Sequence, residues 1–170
     1  MKTRLATGAV ALVLTAFGCQ NRAPRFTAED AAAIRTIFDS VVTDIRAGRW
    51  DAWAAHFADD ARFHPSNGRA LRGRAAILAW GKSFPPFETF SFGTPEVAGD
   101  GNLAYGSSSV IVKIRDVPAD TAKQLVVFRR DAGGRWWVQA VSVTSDLPLP
   151  IGLLDRERTH QPSRNQRGLK

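Results

Sequence analysis

At Pro85-Pro86 the hydrophobic period of this chain changes. Before it, apolar residues recur every three to four positions; after it, they alternate. These are the periods of an amphipathic helix and of a strand with one buried face. Thr27-Ala28-Glu29-Asp30 reads as an N-cap followed by acids in a first turn. Ile34, Ile37, Phe38, Val41, Val42 and Ile45 then form one apolar helix face that ends at Gly48. A second short helix is expected from Trp50 to Ala58, then a strand from Ala61 to His64, a turn at Pro65-Ser66-Asn67-Gly68 and a third helix from Arg74 to Phe84. Pro85-Pro86 stops that helix.

Beyond it, strands are expected near 87–97, 103–115, 121–130 and 135–145, separated by short joints rich in Gly, Asp and Pro. Joints of that length connect antiparallel neighbours. Helices first and a strand meander after predict an α+β domain over 27–147, with the helices on one face of the sheet.

The ends of the chain carry a different signal. Lys2 and Arg4 precede Leu5 to Phe17, an apolar and small-residue run of 13 positions. That is short for a membrane span and suits the core of a signal peptide. It ends at Gly18-Cys19, which holds the only cysteine of the chain and so has no disulfide partner within it. The segment resembles a bacterial lipoprotein signal, cleaved after residue 18, with Cys19 as the lipidated residue. An ordinary cleaved signal, releasing a soluble protein, is the alternative. Residues 19–26 would be anchor and linker, and 148–170 an extended tail, polar, basic and disordered from Asp155 on. In either reading the domain works outside the cytoplasm.

The net charge of +7 does not argue for nucleic acid. Lys2 and Arg4 give the first 18 residues +2, and five bases against two acids give residues 155–170 +3. Only +2 is left for the domain, whereas a nucleic-acid footprint needs bases clustered on one folded face. No metal site is expected either, since no two of His56, His64 and His160 have ligand-pair spacing and the cysteine is at the anchor. No cofactor motif is present.

Three stretches carry a family resemblance: Ala47-Gly48-Arg49-Trp50-Asp51; His56-Phe57-Ala58-Asp59-Asp60-Ala61; and Gly68 to Ile77, with Leu71-Arg72-Gly73-Arg74 inside it. The ending Val127-Phe128-Arg129-Arg130-Asp131 with Gly134-Arg135-Trp136-Trp137 adds to it. Together these resemble a SnoaL-like domain of the nuclear-transport-factor-2-like superfamily. The resemblance implies a cone-like roll of cystatin-like or ketosteroid-isomerase-like kind, in which a curved antiparallel sheet wraps round about three N-terminal helices. It specifies a fold rather than a reaction. The catalytic positions of the ketosteroid isomerases fall here on Val41, Pro65 and Val126, which can neither accept a proton nor donate to an enolate. Steroid-isomerase chemistry is therefore not expected.

His64, one residue before the isomerase base position, is the sole catalytic candidate, as base or hydrogen-bond donor. A strand residue bonded to its neighbouring turn is the plainer reading. His56 reads as a helix-surface residue. In the implied register Tyr105, Ser107, Ser109 and Ile111 face the cone, as do Gln124, Val126 and Phe128 on the next strand. Trp137, Gln139, Val141 and Val143 do so on the last, and Trp80 caps the space. Expected ligand-binding residues are thus His64, Trp80, Tyr105, Ser107, Ser109, Gln124, Val126, Phe128 and Gln139. The opposite sheet face, with Leu125, Val127, Trp136 and Val138, reads as a surface for pairing with a second copy. The leading expectation is an exported binder of a small, largely apolar molecule. The alternatives are a SnoaL-like cyclase, isomerase or dehydratase using His64, and an interaction module with a filled core.

Overall fold

The computed structural model describes residues 25–147. The expected signal peptide, the Cys19 anchor and the tail from 148 lie outside them. Helix α1 (Ala28–Arg46) and the short α2 (Trp50–Ala54) lead into strand β1 (Phe57–His64). The two-residue β2 (Leu71–Arg72) and helix α3 (Arg74–Gly81) follow. Strands β3 (Phe87–Phe92), β4 (Glu96–Asp100), β5 (Leu103–Ile114), β6 (Asp120–Arg130) and β7 (Trp136–Ser145) complete the order.

One seven-stranded sheet runs β2-β1-β7-β6-β5-β3, with β4 also on β5. The meander is antiparallel, but β1 lies parallel to β7 and closes the far side of the sheet. The α+β architecture is the expected one, with three local differences. Helix α2 stops at Ala54 because the chain must extend at once into β1, where the Val138 amide donates to the His56 carbonyl at 2.9 Å. Helix α3 stops at Gly81, which sits against the indole rings of Trp50 and Trp53; a Cβ there would lie 2.6 Å from Trp53. The strand expected over 87–97 splits into β3 and β4. Gly93 donates to the Ser109 carbonyl at 3.0 Å, and Pro95 has no amide to continue the ladder.

Helix α1 buries Ala31, Ile34, Phe38 and Ile45 against the sheet. Its start is fixed by a reciprocal cap. The Asp30 amide donates to Thr27 Oγ1 at 3.3 Å, and the Thr27 amide donates to Asp30 Oδ2 at 3.0 Å. The other carboxylate oxygen of Asp30 receives Arg130 Nη1 at 2.8 Å and Trp136 Nε1 at 3.0 Å. Arg130 also donates to the Gly101 carbonyl and to Asn102 Oδ1, and its guanidinium lies 5.0 Å from the Trp136 ring. One carboxylate thus ties the first turn of the helix to the last hairpin of the sheet. Burial would raise the Asp30 carboxyl, but the bonds from Trp136 and the Thr27 amide and the charge of Arg130 outweigh it and hold it below the ordinary value. Because the folded state depresses this group, its contribution is present above the unfolded carboxyl range and is lost as pH falls through the folded value.

Arg130→Ala would leave the half-buried Asp30 without its cation. We expect a loss of about 1–3 kcal/mol, the usual cost of removing one partner of a charge-assisted hydrogen bond. Urea unfolding would check this; a change under about 1 kcal/mol would show that the pair holds nothing.

Candidate functional site

Between α1, α2, α3 and the inner face of the sheet lies a cavity of about 170 Å³. Helix α1 contributes Ile37, Phe38, Val41 and Ile45, and α3 contributes Trp80. Phe87, Phe90 and Phe92 come from β3, and Val110 and Val112 from β5. Strand β6 supplies Gln124, Val126 and Phe128, and β7 supplies Val138, Val141 and Val143. Around one side the rings pass contact on from one to the next. Phe63 meets Trp80 at 4.8 Å between centroids, Trp80 meets Phe84 at 4.7 Å, and Phe84 stacks on Phe87 at 5.6 Å. Edge and offset contacts of this kind hold aromatic walls in defined positions.

Every lining residue but one is aliphatic or aromatic. The exception is Gln124, 8% exposed, whose Nε2 donates to Ser108 Oγ at 2.9 Å. That bond fixes the carboxamide and leaves its second amide hydrogen and its carbonyl oxygen for another partner.

Four expected ligand residues, Trp80, Gln124, Val126 and Phe128, line this cavity, as do Val141 and Val143. The others do not. On β5 the inward residues are Ala104, Gly106, Ser108, Val110 and Val112, one position out of step with the expectation. Tyr105 is 49% exposed and Ile111 44%; Ser107 and Ser109 share their outer face. The inner positions are small because α1 presses on them: a Cβ at Gly106 would lie 2.6 Å from the Phe38 ring.

On β7 the reason is a bulge. Val127 pairs with Ala140 but Phe128 with Val138, so Gln139 is the extra residue. The alternation that places Val141 and Val143 inward therefore flips, turning Trp136 and Val138 in and Trp137 and Gln139 out. The expectation that Trp136 and Val138 belong to the outer face is corrected by the same bulge. His64 is exposed on the outer side of β1, while its neighbour Phe63 fills the inside. Two of the three isomerase positions, Val41 and Val126, do border the cavity.

His56 is not a free surface residue. Its Nε2 lies 3.5 Å from Asp44 Oδ2, and Asp44, buried at the end of α1, receives Arg49 through Nε at 3.0 Å and Nη2 at 2.8 Å. Burial pushes the imidazole below its ordinary value, against the pull of Asp44. None of these three residues lines the cavity. Among the described residues, no group of three or more His, Cys, Asp or Glu side chains is placed to hold a metal ion. Apart from Val41, the α1 and β3 lining residues are not among the expected site residues, although the Phe84-to-Phe92 aromatic run is a signal for those on β3.

Residues 38–139 match the family profile described as the SnoaL-like domain. The chain belongs to the SnoaL-like domain family. A search of curated protein sequences finds no match. Solved structures show the same fold. An NTF2-like protein of unknown function from Pseudomonas putida is 19% identical, with a TM-score of 0.65 over 75% of this chain and 94% of that one. A protein of unknown function with a cystatin-like fold from Nostoc punctiforme is 16% identical, with 0.64 over 75% and 99%. A ketosteroid isomerase-like protein from Erwinia carotovora is 17% identical, with 0.61 over 72% and 100%. At these identities the likeness concerns the fold of the SnoaL-like domain and not its chemistry.

Proposed function

We propose that this SnoaL-like domain binds a small, largely apolar molecule in its cavity, without a chemical step, and that the protein is exported and held at a bacterial membrane through Cys19. The observation that carries the binding reading is the lining itself, wholly apolar but for Gln124. A concave apolar site with one placed polar group is the usual form of a small-molecule pocket. An apolar cavity of roughly 150 Å³ accepts benzene, so about 170 Å³ suits a single ring with a short substituent. The enzyme reading through His64 loses its support, because that side chain is exposed on the outer face.

Toluene should raise the melting temperature of the wild type and alter its tryptophan fluorescence, since binding to the native state alone stabilises it. Val126→Phe should fold, because the added ring enters existing space, and should show no toluene-dependent shift. Absence of any shift in the wild type would sink the binding reading. For the anchor, Cys19→Ser should move the protein from the membrane to the soluble fraction of its host. An unchanged membrane fraction contradicts the lipoprotein assignment.

The outer face supports pairing with a second copy. Cross-strand register sets Glu96, Ser107, Leu125, Ser142 and His64 in one row, and Ala98, Tyr105, Val127, Ala140, Arg62 and Arg72 in the next. A two-fold axis along β6 would lay Leu125 on its own copy and Tyr105 over the small Ala140. The same axis sets the acidic β4 edge over the basic β1–β2 edge. Among the described residues Glu96, Asp100, Arg62 and Arg72 have no ion-pair partner within the chain. Sedimentation should give a dimer for the wild type and a monomer for Leu125→Arg at unchanged melting temperature. A monomeric wild type would end this proposal.

A further inference from the structure

Strand β6 turns Ala122, Gln124, Val126 and Phe128 into the domain, and all four are buried. Gln124 is the single polar residue of the cavity lining. It stands between Ser108 on β5 and Val143 on β7, with Val126 as the next inward residue along its own strand. A methionine or leucine would fill this place without burying an amide, and a buried amide is unfavourable unless it is hydrogen-bonded.

The bond from Nε2 to Ser108 Oγ satisfies one of the two amide hydrogens. The carbonyl oxygen Oε1 accepts no hydrogen bond from any described residue, yet it is not sealed. The buried side-chain atoms that are both partnerless and shut off are Asp120 Oδ1 and Gln139 Oε1, whereas Gln124 Oε1 keeps accessible surface. With the side chain more than nine-tenths buried and standing in the lining, that surface faces the cavity. A cross-strand pair made only for the fold has no use for an open acceptor, since two apolar groups in its place would be nearly neutral. No lining residue carries a charge. An ion entering this space would therefore lose its water and find no counter-charge.

We propose that Gln124 is the specificity-determining residue of this site, its Oε1 accepting a hydrogen bond from the hydroxyl of a neutral single-ring ligand, a phenol or a benzylic alcohol. The inference rests on the binding reading above and narrows it. Such a group adds only one or two heavy atoms to a ring, which suits the volume of about 170 Å³. A hydroxyl both donates and accepts, so it can meet the open carbonyl or the second amide hydrogen. The Ser108 bond already holds the carboxamide in place, so little ordering of that side chain is left for the ligand to cause. A hydrocarbon of the same size leaves the oxygen unpaired.

The test is calorimetry on the full chain with phenol, toluene, which is of nearly equal size, and benzylamine. Phenol gives up more to leave water than toluene does. The reference is therefore each probe's partition from water into cyclohexane, where neither finds a hydrogen bond. On the wild type the phenol-to-toluene affinity ratio should exceed the ratio of those partition coefficients roughly tenfold or more. Gln124→Met and Gln124→Leu should bring it back toward the cyclohexane value, with toluene bound within about threefold of wild type. Benzylamine, an ammonium ion at neutral pH, should show no binding. A wild-type ratio equal to that of cyclohexane, with toluene bound, overturns the role of Gln124 and leaves the cavity reading standing. That comparison needs no variant, so it decides the matter even if neither variant folds. An elevated ratio that both folded variants keep likewise overturns it. Benzylamine bound as tightly as phenol overturns the neutral hydroxyl. Failure of both toluene and phenol to bind the wild type overturns the cavity reading, and this inference with it.

Discussion

The contact of Phe38 with Phe128 across Gly106 sets how α1 lies on the sheet. The two rings meet at 5.7 Å between centroids, and Phe38 meets Phe92 at the same distance. Neither contact survives a side chain at Gly106, where a Cβ would lie 2.6 Å from the Phe38 ring. The helix is therefore drawn down where the inner sheet residues are Ala104 and Gly106. Further along, the wall changes to Val110 and Val112 on β5, Val126 on β6 and Val141 and Val143 on β7, and the space stays open. Small residues at one end and branched ones at the other make the cavity a consequence of the packing, since well-filled interiors leave few voids of this size.

The helix start is held in the same frame by Asp30. Its carboxylate caps α1 and receives donors from Arg130 and Trp136, some hundred positions away in the chain. Phe26 packs edge-on against Trp136 at 5.8 Å, so the chain entering the domain is fastened to the last hairpin as well.

Much of this architecture could be read from the residues alone. The change of period at Pro85-Pro86, the Thr27 cap and the turn-rich joints give the helices and the meander. The facing of individual strand residues was less legible, for two physical reasons. On β5 the inside is made of Ala104, Gly106 and Ser108, whereas Tyr105 and Ile111 look like core and lie outside. Hydrophobicity points outward wherever a helix demands small residues beneath it. On β7 one bulge at Gln139 reverses the alternation, and a period-two reading cannot register an extra residue. Gln124, Val126 and Phe128 line the cavity as a period-two reading of β6 implies, because β6 has neither complication along those positions, and Trp80 lines it from α3.

The central claim is that the space beneath α1 is an occupiable apolar site and not a filled core. Xenon, which enters dry apolar cavities without needing any polar partner, tests that claim without assuming a ligand. Diffraction from crystals held under xenon pressure should show an ordered xenon atom bounded by Phe38, Trp80, Phe128 and Val141, with little movement of those side chains. Crystals that take up xenon elsewhere on the protein but leave this space empty would contradict the account.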